Sequence, residues 1–180
     1  NVVLNPLEAD KATVRKFLTD TFGTPYSHLD GTVELMQKAE EGNGIDIVFI
    51  GDAFTGDMIE NGTYSEVMSE FADHFFGIEP FTSFRHLFNL YSVAAVSPDA
   101  VYHEGRSTAL ECYYDGATTG GNDDRCKEYA LKAISQERLK NALIIVAMNS
   151  AKYGGTCYLY PPEGGDYGEG TAIAYIPIVT

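Results

Sequence analysis

The sequence predicts an α/β fold, in which a mixed, mostly parallel, twisted β-sheet carries flanking helices. Residues 45–50 and 141–148 are nearly continuous apolar runs of strand length, which is typical of strands covered on both faces. Residues 64–76 follow the first run and repeat apolar side chains at helical spacing. Because strands alternate with helices along the chain, we expect helices to pack on the faces of one sheet.

Length and composition indicate one globular domain with a short extension. The chain has 180 residues, of which 44% are hydrophobic, and this is enough for a substantial core. We expect an N-terminal helical segment over residues 1–30 and the α/β domain over residues 31–180. The formal net charge of −14 argues against nucleic acid as a partner, because phosphate would repel the protein. No apolar run reaches the roughly 20 residues that span a bilayer, so we expect no membrane span.

The first half of the chain begins with a predicted amphipathic helix over residues 7–22. Its apolar side chains recur at three- and four-residue steps, and Gly23 ends the pattern. The elements predicted after it are a strand at 32–36, the buried strand at 45–50, the helix at 64–76, an aromatic connector at 81–86 and a second apolar strand at 87–96.

The second half of the chain alternates strands with loops and one helix. Asp123 and Asp124 place negative charge where it stabilises the start of a helix, so we predict a helix over residues 126–135. The other predicted elements are a strand at 108–114, a loop at 115–124, strands at 141–148, 156–160 and 171–178, and a glycine-rich loop at 161–170.

The histidines are the first candidates for a metal or acid–base site. None of the four histidines forms the His-Glu-x-x-His pattern, which places two zinc ligands and a general base on one helix face. The acidic residues Asp115, Asp123 and Asp124 match no calcium-loop spacing, and helix capping accounts for two of them. The residues alone therefore predict no self-contained catalytic or metal site. The four histidines are His28, His74, His86 and His103.

The three cysteines leave two interpretations open. In an oxidising compartment Cys112 and Cys126, which bracket a glycine-rich loop, are the better candidates for a disulfide. Three reduced thiols are an equal alternative. In either case we expect Cys157 to lie in the core, because a cysteine in an apolar strand is most often buried.

Five stretches in the same order resemble the IgA-peptidase family of secreted zinc metalloendopeptidases, in particular its relatives in gut Bacteroides-type bacteria. The resemblance implies a zincin-like fold, a twisted mixed sheet with helices whose edge strand lies over the active-site cleft. It covers roughly residue 31 to the end of the chain. The stretches are GNGIDIVFIGDAFT (42–55), FNLYSVAAVS (88–97), TALECYY (108–114), GNDDRCKEYAL (121–131) and MNSAKYGGT (148–156).

The resemblance also implies a substrate-binding strand at residues 156–160. An edge strand in such peptidases pairs main chain to main chain with an extended substrate. We therefore expect Gly154, Gly155, Thr156 and Tyr158 to bind a protein or peptide substrate. The glycines would permit close approach of the substrate backbone, although a simple tight turn explains them equally well.

The zinc-binding helix of the family does not occur in this sequence. The chain begins at Asn1 and ends at Thr180, about where that helix is expected, so we expect an inactive upstream half of a peptidase. No catalytic or metal-binding residue is assigned, and zinc is implied only for the complete family member. The alternative is a non-catalytic protein-binding or structural module that keeps the fold.

Two further expectations follow from the family resemblance. The first is a secreted, periplasmic or cell-surface location in a bacterium. The second is self-association, either through the sheet face that the zinc-binding helix would cover or through an exposed strand at residues 171–178. Both apolar faces and open strand edges tend to find a partner.

Overall fold

A six-stranded mixed sheet with helices on both faces forms the fold, as the sequence predicts. The computed structural model describes residues 26–102, 107–161 and 170–178, so the helix predicted at 7–22 lies outside the described residues. The strands are β1 Val33–Gln37, β2 Ile45–Asp52, β3 Phe88–Val93, β4 Tyr113–Asp115, β5 Thr118–Gly120, β6 Leu143–Asn149, β7 Thr156–Tyr160 and β8 Thr171–Ile178. The sheet order is β1-β3-β2-β6-β8-β7, and a separate hairpin pairs β4 with β5.

The four inner strands of the sheet run parallel, and the two outer strands run antiparallel to their neighbours. β3, β2, β6 and β8 are parallel, whereas β1 pairs antiparallel with β3 and β7 pairs antiparallel with β8. β8 therefore lies between β6 and β7. The prediction that residues 171–178 form an exposed strand is wrong, because both of its edges are paired.

The helices cover the sheet on two sides. On one side helix α2 (Thr63–Phe76) packs over β2 and β3, and the rings of Phe71 and Phe75 contact Phe49. On the other side Cys126 in α4 and Leu139 in α5 join the core around Val48. The helices are α1 Gly56–Glu60, α2 Thr63–Phe76, α3 Phe81–Phe84, α4 Asp123–Ala130 and α5 Gln136–Leu139, with a 3₁₀ turn at Arg85–Leu87 after α3. None of the helices in the described ranges is long and apolar enough to span a membrane.

Residues 108–112 are not a strand, which corrects the prediction for residues 108–114. Three of their main-chain N–H groups donate to side chains instead of to a neighbouring strand. Leu110 N–H donates to Asp52 Oδ1 over 2.8 Å, and Ala109 N–H donates to Ser97 Oγ over 2.9 Å. The first bond ties the segment to the carboxyl end of β2, and the second ties it to the chain that follows β3. Only Tyr113 and Tyr114 of the predicted range enter a strand.

Three other boundaries also differ from the predictions. The connector at 81–86 is helical, and the loop at 115–124 contains β5. The helix predicted at 126–135 begins at Asp123 and ends at Ala130, and Asn122 is its N-cap, with its side chain accepting from the N–H of Arg125. The two aspartates lie in the first turn, where their charge still favours the helix.

A partly buried ion pair lies at the start of the central strand. Asp46 is the only charged residue in the apolar part of β2, and Arg138 in α5 binds its carboxylate through Nε and Nη2. Asn89 Nδ2 also donates to Asp46 Oδ1 over 2.9 Å. The cluster joins β2, β3 and α5 at the same end of the sheet.

Candidate substrate-binding edge strand

Residues 156–160 form β7, which lies at one end of the sheet. β7 pairs with β8 from Thr156 opposite Tyr175 to Tyr160 opposite Thr171. No described strand pairs with its other side. An end strand leaves main-chain N–H and C=O groups free to pair with another extended chain. The position therefore suits the predicted substrate strand, while substrate binding itself stays a prediction.

The hairpin of β4 and β5 adjoins the beginning of β7. Gly155 N–H donates to the carbonyl oxygen of Ala117 over 3.1 Å. A Cβ on Gly154 would lie 2.9 Å from that same oxygen, so the close approach of the hairpin requires glycine there. Both glycines thus serve contacts within the chain, and a role for them in binding substrate stays a prediction.

The side chains of Thr156 and Tyr158 are also held by the hairpin. Thr156 Oγ1 accepts from the N–H of Thr119 over 3.0 Å, and Tyr158 donates its hydroxyl to the carbonyl of Thr119 over 3.2 Å. Since these side chains are engaged, any substrate contact from the two residues has to come mainly from the main chain.

The far end of β7 is anchored to helix α4 through Asp123. The Asp123 carboxylate accepts hydrogen bonds from the hydroxyls of Tyr160 in β7 and Tyr175 in β8, the latter over 2.6 Å. Burial, followed by the Asp123 contact, raises the pKa of Tyr160. Lys127 places its ammonium 4.7 Å from the centre of the Tyr160 ring. The hairpin and α4 therefore fix the two ends of the strand.

The opposite face of β7 is open to solvent. Leu159 is 56% exposed, and Cys157 is exposed as well, so the expectation that Cys157 lies in the core is wrong. The reason is that Cys157 sits on the uncovered face of an end strand, which its apolar sequence neighbours do not reveal. All three cysteines are free in the structure, and burial raises the pKa of Cys126 to about 12.

The described residues do not form a zinc site. No three histidine, cysteine, aspartate or glutamate side chains in the described ranges converge in a way that could hold a metal ion. His74 uses Nδ1 in a contact of 2.8 Å with the main-chain oxygen of Glu70, and His103 lies outside the described residues. The acidic residue Asp123, considered above for calcium, instead accepts from two tyrosines.

Replacing Asp123 with alanine should destabilise the protein by about 2 kcal/mol, because it leaves the hydroxyls of Tyr160 and buried Tyr175 without their acceptor. Urea unfolding measures the loss. Hydrogen exchange should also quicken at the end of β7 near Tyr160. The matched control is Asp124→Ala, because this neighbour has a side chain that is 93% exposed. Equal effects of the two variants would contradict an anchoring role for Asp123.

A protein-family model matches most of the chain. The model of the IgA peptidase M64 family matches residues 33–167, which is well over half of the chain and includes β1 to β7. No curated protein matches the chain significantly. The match includes the hairpin and the strand at 156–160, and it ends before β8. The chain therefore belongs to the IgA peptidase M64 family, a family of metallopeptidases.

Proposed function

We propose that this chain forms the substrate-binding part of a secreted zinc metalloendopeptidase that hydrolyses peptide bonds in protein substrates. The observation that carries the proposal is β7, an end strand that is fixed at both ends and has no strand on its outer side within the described part of the chain. Membership in a metallopeptidase family supports the reaction class.

The proposed binding step is the addition of an extended substrate segment to the outer edge of β7. Main-chain hydrogen bonds supply the affinity in this mode and tolerate many side chains. Because Thr156, Tyr158 and Tyr160 are held by bonds to the hairpin and α4, the strand is ordered before substrate arrives. The strand therefore loses less conformational entropy when the substrate binds.

The hydrolytic step is assigned to no residue of this chain. The described residues do not fit a zinc ion, and the sequence contains no His-Glu-x-x-His. We infer that zinc belongs to the complete peptidase and that this chain binds peptide without cleaving it. A non-catalytic binding module would share the binding step, so cleavage by the parent protein separates the two hypotheses.

Peptide binding tests the proposal directly. A fluorescent, extended peptide should bind the full chain in an anisotropy titration, and amide hydrogen exchange should slow in residues 156–160. A matched peptide that is N-methylated at every amide should bind at least tenfold more weakly, because it has no main-chain donor on either edge. Equal binding of the two peptides, or protection at β1 in place of β7, would reject the proposed edge.

Secretion and self-association remain part of the proposal. A bacterial periplasmic or extracellular location suits a peptidase that acts on proteins. With β8 enclosed, two copies could associate through the open edge of β7 or through its exposed face. Sedimentation at several concentrations tests this, and a monomer at every concentration would reject it.

A further inference from the structure

The two faces of β7 differ sharply in chemistry. Successive side chains of a strand point to opposite sides of the sheet. Thr156, Tyr158 and Tyr160 point towards the hairpin and α4, where they are hydrogen-bonded. Cys157 and Leu159 point to the other side and are exposed. In a substrate strand paired with β7, alternate side chains would lie on the hairpin side and the remaining side chains would lie on the exposed side.

On the exposed face of β7, the β8 residues opposite Cys157 and Leu159 are small and apolar. In the antiparallel register Cys157 lies opposite Ala174 and Leu159 lies opposite Ala172. Ile176 and Ile178 of β8 share this face but are largely buried, so Leu159 is the most exposed large apolar side chain on this face of the two strands. Residues of an added strand that lie on this face would therefore contact Leu159, because laterally adjacent side chains in a sheet interact.

The negative net charge of the protein favours some substrate strands over others. The formal net charge of −14 disfavours an acidic segment through long-range repulsion, whereas a neutral or basic segment is tolerated or attracted. Substrate residues that lie on the apolar face of β7 should be apolar, and these are alternate residues of the substrate strand. The residues between them point to the other side and can carry positive charge.

From these observations we infer that β7 captures extended segments in which apolar residues alternate with neutral or basic ones, and that Leu159 determines this preference. The inference rests on the proposed function, because it assumes that substrate pairs with β7. It adds a sequence pattern to a binding mode that main-chain bonds alone leave unspecific.

Three eight-residue peptides test the inference on the full chain by fluorescence anisotropy. One alternates valine with lysine, the second has the same composition with valines and lysines in separate blocks, and the third replaces the lysines of the first with glutamates. The alternating lysine peptide should bind about tenfold more tightly than either of the others.

The protein variants use a matched pair of leucines on the two outer strands. Leu159 is 56% exposed on β7, and Leu35 is 52% exposed on β1. Leu159→Asp should weaken binding of the alternating lysine peptide about tenfold, Leu159→Ala should weaken it less, and Leu35→Asp should leave it unchanged. Circular dichroism confirms that the variants are folded.

The outcomes separate this inference from the proposed function. Equal binding of the alternating and block peptides, or of the lysine and glutamate peptides, would overturn the inference and leave capture at β7 intact. A loss with Leu35→Asp and none with Leu159→Asp would also overturn it, since the peptide would then occupy β1. If no peptide binds, both the proposed function and this inference fail.

Discussion

Replacing Phe49 with alanine is expected to lower the free energy of unfolding by about 3–5 kcal/mol, because it opens a cavity in the core. Phe49 is fully buried in the middle of β2. Its ring centre lies 4.8 Å from that of Phe71 and 6.0 Å from that of Phe75, both in helix α2. The substitution therefore removes the ring contacts of Phe49 with this helix. Urea unfolding followed by circular dichroism measures the change.

Ile45→Ala in the same strand is the control for this prediction. Ile45 is 49% exposed, so its truncation should cost less than about 1 kcal/mol. Phe49→Leu should fall between the two variants and provides a folded protein if the alanine variant does not fold. A loss below about 1 kcal/mol for Phe49→Ala would show that α2 does not close the core over β2.

Replacing Arg138 with alanine is expected to cost about 3 kcal/mol, because the buried carboxylate of Asp46 loses its counter-charge. The Asp46 side chain is 2% exposed, whereas that of Arg138 is 34% exposed. Water that reaches the site from the arginine side keeps the expected loss at the lower end of the range for buried pairs. Asn89 would remain as a hydrogen-bond donor to the carboxylate. Thermal and urea unfolding measure the change.

The double variant Asp46→Asn with Arg138→Ala should recover part of this stability, because the uncompensated buried charge is gone. Lys140→Ala is the control. Its salt bridge with Glu137 joins side chains that are 61% and 82% exposed, so its loss should have little effect. Equal losses for Arg138→Ala and Lys140→Ala would show that the Asp46 pair is not shielded from solvent.

Hydrophobic pattern was sufficient to predict the central part of the fold. The structure confirms the strands at 45–50 and 141–148 and the helix at 64–76. In each of them the buried side chains are the ones that form the apolar pattern in the sequence. β5 was missed because Thr118–Gly120 has no apolar alternation, and its order comes from bonds to β7 and β8. Residues 108–112 have an apolar sequence, but Asp52 and Ser97 take their main-chain donors.

The position of the candidate strand was predicted, whereas its contacts were not. The order of elements and the family resemblance predicted a strand at 156–160, and the structure places it at the edge of the sheet. The Asp123 anchor could not be predicted, because its partners Tyr160 and Tyr175 are 37 and 52 residues away in the chain. The exposure of Leu159 depends on which face of β7 the hairpin covers, and no local sequence signal reports that.

The pairing of β2 with β6 has a consequence for the order in which the protein can fold during synthesis. β1, β2 and β3 can assemble from the first part of the chain, whereas β6 pairs Ile144 with Val48 across a long stretch of sequence. Until β6 leaves the ribosome, one edge of the apolar strand β2 has no partner. Nascent chains that stall between residues 100 and 140 should therefore be prone to aggregation, and a chaperone that shields open strand edges would be most useful in that interval.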